Sequence, residues 1–166
     1  VYCADKELTT NPIDPGTYFL WVDSNAPIAK GDFSLAVSTT PALLPANDTC
    51  ADAEELFFDE TGSVQVQSSS IYALDQLQGY CSTQSGGPDV MYKFTLDQGQ
   101  LLDVQVQADF DPVLVLMKDG CGADFQFNCQ PSGALNQFVP AGTYYLAVDG
   151  AGEKVWGDYT LTVTLQ

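Results

Sequence analysis

The chain has 166 residues, 45% of them hydrophobic, and carries 22 acidic residues against five lysines, a formal net charge of −17. This length fits one ordinary domain with a fragment of another, and no apolar run is long enough for a membrane span. The charge repels phosphate backbones and anionic lipid, which makes nucleic acid a very poor partner and anionic membrane surfaces poor ones. Histidine and arginine are absent, which excludes Ser–His and Cys–His nucleophiles, His-ligated metals and arginine clamps.

The first forty residues repeat the end of the chain. Residues 3–37 align with residues 129–163 without a gap, at a constant offset of 126, and eleven of the 35 aligned positions are identical. The first copy lacks the residues that precede position 129 in the second copy. The chain is therefore predicted to contain the end of one module followed by one whole module.

Two strands are predicted in the first copy, at Gly16–Asp23 and Gly31–Ser38, where apolar residues alternate between turn residues. A proline-bracketed stretch follows them and is typical of a linker. The predicted organisation is the C-terminal part of a preceding module at residues 1–40, the linker at 41–46 and the complete module at 47–166.

The complete module consists of short strands between turn residues, with almost no helical pattern. The strands are predicted at residues 64–69, 89–96, 102–107, 111–118, 135–139, 143–149 and 157–165. Asp89–Leu96 alternates strictly, whereas Asp111–Lys118 is continuously apolar and is typical of a strand buried on both faces. These regular strands predict an all-β antiparallel two-sheet sandwich, with an up-and-down barrel as the second choice.

Several stretches of the module resemble the bacterial pre-peptidase C-terminal (PPC) domain family. They are Asn47–Leu56 (NDTCADAEEL), Asp89–Leu96 (DVMYKFTL), Asp111–Met117 (DPVLVLM) followed by Cys121, and the pair Ala141–Asp149 and Gly157–Val163, which resembles the family's final hairpin. The resemblance covers about residues 47–165, and 13–38 for the partial copy. It departs at Pro112, which replaces the usual small polar residue after the aspartate of that strand.

The resemblance implies a fold and a class of protein. PPC domains are compact β-sandwiches of jelly-roll type. They are accessory modules of secreted bacterial proteases and other cell-surface proteins, often in tandem, and some of them bind calcium. The family has no catalytic residues of its own, so the resemblance transfers none to this chain.

The five cysteines are an odd number for a secreted protein. Cys121 and Cys129 flank a short segment and are predicted to close a hairpin with a disulfide, which leaves Cys50 and Cys81 as the second pair. Cys3 is left over. Its repeat equivalent is Cys129, so this pairing places its partner about five residues before Val1. Cys3 is then either bonded to another polypeptide or unpaired because its partner segment is cut off.

Acidic residues at the ends of strands are candidates for a hard cation, because calcium takes several oxygen ligands that converge from loops. The candidate ligands are Asp23, Asp32, Asp109, Asp111, Asp149 and Asp158. The alternative is that these aspartates only cap the backbone of turns. No cofactor is required by the sequence, and calcium is the one that we consider.

Two aromatic residues of the first copy are predicted to lie at an interface. Tyr18, Leu20 and Val22 share the core side of their strand, so Phe19 and Trp21 point to the other side. Aromatic residues on an outer face are typical of interaction surfaces. The alternative is that a neighbouring loop or the linker covers them. The core side of residues 1–40 must also be buried, by missing upstream strands or by a neighbouring subunit.

The sequence predicts no enzyme, because its densest acidic run, Glu54 to Glu60, is clustered on one turn and does not face a second group across a cleft. We expect a non-catalytic structural or adhesive module of a repetitive bacterial cell-surface or filament-forming protein, secreted and bound to neighbouring modules or subunits of the same protein. The alternative is an accessory substrate- or ligand-binding domain of a secreted bacterial hydrolase such as a protease.

Overall fold

The computed structural model describes residues 4, 7–8, 13, 16–24, 26–41, 43–77, 81, 86–152 and 154–166. The chain divides into two units, Val1–Ala42 and Leu43–Gln166. Within the described residues no helix is long and apolar enough to cross a membrane. Cys3 lies outside the described residues, so the prediction that it is unpaired or intermolecular stays a prediction.

The described part of the second unit contains nine strands and two single-turn 3-10 helices. In chain order they are a 3-10 helix at Cys50–Asp52, β1 (Glu54–Glu55), β2 (Ser63–Ser69), β3 (Val90–Leu96), β4 (Gln100–Ala108), β5 (Pro112–Lys118), a 3-10 helix at Ala123–Phe125, β6 (Gln126–Gln130), β7 (Ala134–Val139), β8 (Gly142–Gly150) and β9 (Asp158–Leu165).

The strands pair from the middle of the chain outwards. Strand β5 pairs with β6, β4 with β7, β3 with β8 and β2 with β9, all antiparallel. This nested pattern is a long hairpin wound into two sheets, which is the jelly roll. The five-stranded sheet has the order β1-β3-β8-β5-β6 and the four-stranded sheet β2-β9-β4-β7. The predicted all-β antiparallel sandwich of jelly-roll type is confirmed.

The main core lies between the two sheets and follows the predicted alternation. Its fully buried members on β3 and β8 include Tyr92, Phe94, Tyr144 and Leu146, and the rings of Phe94 and Tyr144 stack with their centroids 5.4 Å apart. Strand β5 is buried on both faces from residue 113 to 117, as its continuous apolar sequence predicts. The five-stranded sheet must therefore be covered on its outer side as well.

A second, smaller core provides this cover on the outer face of the five-stranded sheet. Met91, Val115 and Ala147 point outwards from three adjacent strands and are fully buried. They pack in one cluster with Ala53 and Leu77, which lie outside the sheet strands. All four cysteines of the module lie against this cluster, so its two disulfides fasten the covering segments to the sheet.

The disulfides join Cys50 to Cys121 and Cys81 to Cys129, with Cα–Cα distances of 6.0 and 5.5 Å. The predicted pairing of Cys50 with Cys81 and of Cys121 with Cys129 is wrong. Cys129 lies opposite Val115, three residues before the end of β5 at Lys118. At about 3.3 Å per residue, Cys121 lies beyond that end and roughly 10 Å or more along the strand direction, whereas a disulfide needs Cα atoms within about 7 Å.

The first unit contains no strand or helix within residues 16–24 and 26–41. The strands predicted at Gly16–Asp23 and Gly31–Ser38 are not formed, and the side chains predicted to face a core are exposed: Tyr18, Leu20, Val22, Phe33, Leu35 and Val37. The reason lies in the repeat equivalents, β8 and β9. Strand β8 lies between β3 and β5, and β9 lies between β2 and β4, whereas the described residues of the first unit contain no strand that could lie beside the equivalent segments.

The same topology corrects the expected final hairpin of the module. Strands β8 and β9 follow each other in the chain but belong to different sheets. The connection between them crosses from one layer of the sandwich to the other. The two strands therefore do not pair with each other.

Candidate functional site

The open outer face of the four-stranded sheet has a shallow depression, called the groove below, at one end of β2, β9 and β4. Its outward side chains are Gln67, Ser69, Gln107, Asp109, Asp158 and Thr160. They face outwards because their neighbours along each strand, among them Val66, Ala108 and Leu161, belong to the core or pack against it. The alternation of Gln, Ser and Thr with apolar residues thus places hydrogen-bonding groups along this face.

The register arranges these side chains in rows across three strands. Gln67 is opposite Thr160, which is opposite Gln107. In the next row Ser69 is opposite Asp158. Adjacent strands are about 4.8 Å apart, so a row spans roughly 10 Å. This width fits one or two small polar rings or an extended chain lying across the strands.

The amides of the groove have no hydrogen-bond partner among the described residues, in contrast to the row beside it. In that neighbouring row the Gln65 amide donates to the Thr162 hydroxyl over 3.3 Å. The Gln105 amide donates to Asp103 over 3.2 Å. The side chains of Gln67 and Gln107 are therefore the ones available to a ligand.

Gly157 allows the carboxylate of Asp109 to lie against the backbone at the edge of the groove. A Cβ atom at Gly157 would be 2.3 Å from Asp109 Oδ1 and 2.9 Å from the Phe110 ring. Ser70 fixes the backbone on the other side, since its N–H donates to the Gly157 carbonyl over 3.0 Å and its hydroxyl accepts from the Gly157 N–H over 3.2 Å. A side chain at this position would therefore displace the Asp109 carboxylate and the Phe110 ring.

The lining of the groove suits hydrogen bonding and not stacking. Its single aromatic member, Tyr159, points into the core, where its hydroxyl lies 2.7 Å from that of Tyr92. Burial raises the pKa of Tyr159 far above its ordinary value, so its hydroxyl stays protonated. The groove can bind hydroxyl groups through amides and carboxylates, but it has no exposed ring for a sugar to stack on.

Buried aspartates form a second group of charged side chains, beneath the connection between β2 and β3. Asp48 accepts from the N–H of Leu74 over 2.7 Å, and Asp89 accepts from the N–H groups of Gln76 and Leu77 over 2.7 and 2.9 Å. These carboxylates hold the backbone of the connection in place. Their second oxygens, Asp48 Oδ2 and Asp89 Oδ1, have no hydrogen-bond donor among the described residues.

Asp149 is the third member and is fully buried at the end of β8. It accepts from the N–H of Gly87 over 3.2 Å. The register continued by one residue from the Val90–Val148 pair places Asp89 opposite Asp149. Opposite side chains have Cβ atoms about 5 Å apart, so the two carboxyl groups are close and buried together.

The environment raises the pKa of both carboxyl groups. Burial raises the pKa of Asp89 to about 7, and the charges of Asp75 and Asp48 add to the effect. Burial raises the pKa of Asp149 to about 8, with the charge of Asp89 as the second cause. Asp149 is therefore mostly protonated at neutral pH and Asp89 only partly so, and a proton held by the pair relieves the repulsion between two buried charges.

The candidate calcium ligands are not assembled into one site. Asp109 and Asp158 line the same groove, Asp111 is exposed, and Asp149 is buried on the other sheet. Asp23 and Asp32 are exposed in the first unit. Within the described residues no three acidic, cysteine or histidine side chains are grouped as a metal centre.

Sequence reasoning missed Asp48 and Asp89, because an aspartate beside a turn is usually exposed. The sequence feature that could have identified them is their position in the chain. Asp48 is the second residue of the stretch Asn47–Leu56 and Asp89 is the first of Asp89–Leu96, and both stretches carry the family resemblance. The predicted interface residues Phe19 and Trp21 are 81% and 90% exposed, and their role as an interface stays a prediction.

The chain is similar to several solved structures, and the first of those below shows the same fold. The periplasmic inhibitor of g-type lysozyme, PliG, from Aeromonas hydrophila superposes with a TM-score of 0.52 at 15% sequence identity and covers 69% of this chain and 96% of its own. The pre-peptidase C-terminal domain of collagenase from Bacillus anthracis has a TM-score of 0.44 at 15% identity, with 69% and 94% covered. PliG from Salmonella Typhimurium has a TM-score of 0.43 at 14% identity, with 69% and 98% covered.

No match was found among curated proteins. The sequence of residues 46–160 matches the family described as galactose binding domain-like, in its T9SS-associated form. The match spans more than half of the chain and nearly all of the complete module. The chain therefore belongs to the galactose binding domain-like family.

Proposed function

We propose that residues 47–166 are a non-catalytic binding module of a repetitive extracellular protein, with a structural or adhesive role at a bacterial cell surface or in a filament. The observation that carries the proposal is the groove on the four-stranded sheet, where Gln67 and Gln107 present amides with no partner among the described residues. The opposite face of the sandwich is covered by segments that two disulfides fasten. The open face is thus the surface that the module offers to a ligand.

An extracellular location is supported by the cysteines. Four of the five are in disulfides, and disulfides persist in oxidising compartments and are rare in the cytosol. The large negative charge fits this proposal as well, because it keeps a surface-exposed protein soluble.

A tandem arrangement is supported by the internal repeat. We infer that residues 1–40 are the end of a preceding module, equivalent to β8 and β9, and that neighbouring modules of the same protein are the immediate partners. The exposed apolar side chains of the first copy support this inference, because Leu20 and Leu35 match Leu146 and Leu161, which are fully buried in the complete module.

The ligand class proposed for the groove is a carbohydrate polymer rich in hydroxyl groups. Amide and carboxylate side chains on a rigid sheet accept and donate the hydrogen bonds that sugar hydroxyls offer, and the family is named for galactose binding. The groove is shallow and lacks an exposed stacking ring, so we expect weak binding to each site. Weak sites are effective when several modules bind one polymer.

The test compares two pairs of glutamines on the same strands. Affinity electrophoresis in gels containing galactose-rich polysaccharide is expected to show retardation of the wild type. The Gln67→Ala/Gln107→Ala variant is expected to lose about thirtyfold in affinity, from two hydrogen bonds of about 1 kcal/mol each. The matched control, Gln65→Ala/Gln105→Ala, changes the neighbouring row, whose amides bond within the protein, and is expected to bind like the wild type. No retardation of the wild type, or equal losses in both variants, contradicts the proposal.

A weak calcium site remains a proposal from the sequence. Asp109 and Asp158 at the edge of the groove are the candidate ligands that the structure brings to one place. We expect millimolar calcium to raise the melting temperature by a few degrees relative to chelator, and Asp158→Asn to remove the increase, because a ligand that binds the folded state stabilises it. An unchanged melting temperature means that the aspartates serve turns only.

A further inference from the structure

We infer that strand β2 is the surface through which a second copy of this chain binds, by adding its own β2 antiparallel to the edge of the four-stranded sheet. Strand β2 (Ser63–Ser69) lies at one edge of that sheet, and among the described residues it pairs with β9 alone. The inference goes beyond the proposed function, and only its consequence for the groove rests on that function.

The hydrogen bonds at the two ends of β2 show which of its residues bond to β9. The N–H of Leu165 donates to the Gly62 carbonyl over 2.8 Å, and the N–H of Ser70 donates to the Gly157 carbonyl over 3.0 Å. Hydrogen-bonded and non-hydrogen-bonded pairs alternate along an antiparallel ladder. The even-numbered residues of β2 therefore bond to β9, and the odd-numbered ones point their N–H and C=O groups to the outer edge.

Three of the odd-numbered residues have open backbone groups. At Ser63 the outward groups are already bonded, because its N–H donates to the Asp59 carboxylate over 3.0 Å and its carbonyl accepts from the Asp59 N–H over 2.9 Å. The outward N–H and C=O groups of Gln65, Gln67 and Ser69 have no hydrogen-bond partner among the described residues. Such a row of unpaired groups is a template for another strand.

Strand β2 lacks the features that usually protect an edge, which are charge, proline, a bulge or short length. Strand β1 has two residues, both glutamate. The register of β6 against β5 is irregular between Leu116 and Met117, and β7 is bounded by Pro131 and Pro140. Strand β2, in contrast, has seven residues with no charge and no proline, and its register with β9 is continuous. It is the least protected of the four edges.

The occupant that fits this edge is a second β2, because the strand is complementary to itself. In the antiparallel pairing centred on Gln67, this residue lies opposite Gln67 of the second copy, and Gln65 lies opposite Ser69 of the second copy. This register pairs all three open residues and forms two hydrogen bonds at each pair. The side chains that face each other are amides and hydroxyls, so no like charges are directly opposed.

The acidic residues beside this edge are also kept apart in that pairing. The turn that contains Asp59 and Glu60 precedes Ser63, and the register brings Ser63 level with Ile71 of the second copy. The acidic turn of one copy therefore lies near residues 71–72 of the other and not near its own equivalent. The net charge of −17 opposes association, but exposed charges more than about 8 Å apart are largely screened at physiological ionic strength.

The pairing extends the polar row of the groove across two copies. In one copy the row consists of Gln107, Thr160 and Gln67 on β4, β9 and β2. The second copy continues it with the same three residues in the opposite order. At about 4.8 Å between adjacent strands, the joined row is roughly 24 Å long. On the proposed function, one polymer can then contact both grooves at once.

The first experiment measures the dimer with the full chain by sedimentation velocity over roughly a hundredfold range of concentration. We expect the wild type to dimerise as concentration rises. Gln67→Lys is expected to weaken the dimer about fivefold, because two lysines then lie directly opposite at its centre. The matched control is Gln107→Lys, the same change in the same row on β4, which lies inside the sheet, and it is expected to dimerise like the wild type. A monomeric wild type, or equal effects of the two changes, overturns the inference.

The second experiment tests the register by cross-linking in a Cys3→Ser background. Gln67→Cys is expected to form a disulfide-linked dimer on mild oxidation, because the Cα atoms of a hydrogen-bonded antiparallel pair are about 5.5 Å apart, within disulfide range. Gln65→Cys is the control on the same strand and face. In this register its Cα atom is roughly 13 Å or more from its equivalent, so it is expected to stay unlinked alone and to link when mixed with Ser69→Cys. Equal cross-linking of Gln65→Cys and Gln67→Cys, each alone, overturns the inference.

Failure of this inference is distinguishable from failure of the proposed function when affinity electrophoresis in galactose-rich polysaccharide is run on the same preparations. A chain that dimerises through residue 67 without binding the polysaccharide supports the inference and contradicts the proposed function. A chain that binds the polysaccharide but stays monomeric overturns the inference and leaves the proposed function in place.

Discussion

Residues 16–37 and residues 142–163 have the same pattern of residues and different structures. The second region forms β8 and β9, each with a strand on both sides. The first region forms no strand in its described residues, and its apolar side chains are exposed. Because eleven positions of the repeat are identical, local propensity does not separate the two regions. The difference teaches that a strand is stabilised by its cross-strand neighbours, and that an alternating pattern alone does not make one.

The largest expected effect comes from one leucine present in both regions. Leu146 is 0% exposed, and its repeat equivalent Leu20 is 59% exposed. Leu146→Ala is expected to lower the free energy of unfolding of the module by about 2–5 kcal/mol, the range for a buried leucine. Leu20→Ala is expected to change it by less than about 0.5 kcal/mol. Urea unfolding followed by tryptophan fluorescence and circular dichroism measures both.

The pair Leu161→Ala and Leu35→Ala repeats this test on the next strand along the chain, which lies in the other sheet. Leu161 is fully buried on β9, and Leu35 is exposed. If Leu35→Ala and Leu161→Ala lower the free energy of unfolding by similar amounts, the first region is packed in solution. In that case the comparison between the two regions is wrong.

The second-largest expected loss of stability comes from removing a disulfide, and Cys3 provides the matched change in the first region. Cys81→Ser/Cys129→Ser opens a link that spans 48 residues and is expected to lower the free energy of unfolding by about 3–4 kcal/mol. Cys3→Ser, at the position equivalent to Cys129, is expected to leave the unfolding of the module unchanged. If Cys3→Ser lowers the free energy of unfolding as much as Cys81→Ser/Cys129→Ser does, the first region is not independent of the module.

The corrected pairing also moves the predicted partner of Cys3. Cys129 bonds to a cysteine 48 residues before it, and not to the one eight residues before it. A preceding module built alike places the partner of Cys3 about 48 residues upstream. Non-reducing peptide mapping of the natural protein tests this, and a bond from Cys3 to a cysteine close to Val1 contradicts it.

The aspartates that end the two equivalent strands differ in their response to pH. Asp149 is fully buried, and its pKa is raised to about 8 from an ordinary value of 3.8. Between these values the folded state holds a proton that the unfolded state has lost. The contribution of Asp149 to the free energy of unfolding is therefore fully present below about pH 4. It is lost as the pH rises to about 8. Asp89, with a pKa of about 7, acts in the same direction.

We expect the melting temperature of the wild type to fall between pH 5 and pH 8, corresponding to a few kcal/mol. Asp149→Asn cannot ionise, so it is expected to flatten this dependence and to be more stable than the wild type at pH 8. Asp23→Asn, the equivalent change in the exposed copy, is expected to follow the wild type at every pH. Differential scanning calorimetry across the range measures all three, and a melting temperature that rises with pH contradicts the assignment.

Much of the fold is predictable from the sequence because the module obeys simple patterns. The period-2 alternation of β3, β4 and β9 and the continuous apolar sequence of β5 give these strands and the side that faces the core. The jelly-roll connectivity is implied by the family resemblance and not by the strand pattern, since the pattern also fits a barrel. The polar face of the four-stranded sheet was visible as alternating Gln and Thr, but the groove depends on the register, which the sequence does not specify.

The errors have a common physical cause, which is that they concern contacts between distant segments. The disulfide pairing was assigned from closeness in sequence, whereas the covering layer brings Cys50 to Cys121 across 71 residues. Strand β6 is not among the predicted strands, because three of its five residues are polar and it lies partly exposed at the edge of its sheet. The buried state of Asp48 and Asp89 depends on the connection that folds over them, and composition gives no sign of that.

The smallest expected effect compares two glycines at the same position of the repeat. A Cβ atom at Gly157 would meet Asp109 Oδ1 at 2.3 Å and the Phe110 ring at 2.9 Å, whereas a Cβ atom at Gly31 meets nothing within 4 Å. Gly157→Ala is expected to cost about 1 kcal/mol, since the exposed Asp109 side chain can move aside but the partly buried Phe110 ring must shift within the core. Gly31→Ala is expected to be neutral, because its site stays open and alanine orders the unfolded chain only slightly.

The same two variants also test whether Asp109 takes part in binding at the groove. Displacing the Asp109 carboxylate changes the edge of the groove, so Gly157→Ala is expected to weaken polysaccharide binding by a few-fold, about 0.5–1 kcal/mol, while Gly31→Ala leaves it unchanged. Chemical unfolding and affinity electrophoresis on the same preparations measure both quantities. If Gly157→Ala loses stability but binds like the wild type, Asp109 is a structural neighbour of Gly157 and the ligand contacts the glutamine row alone. If Gly31→Ala also loses stability, residue 31 is packed in solution, and the first region is more ordered than its exposed side chains indicate.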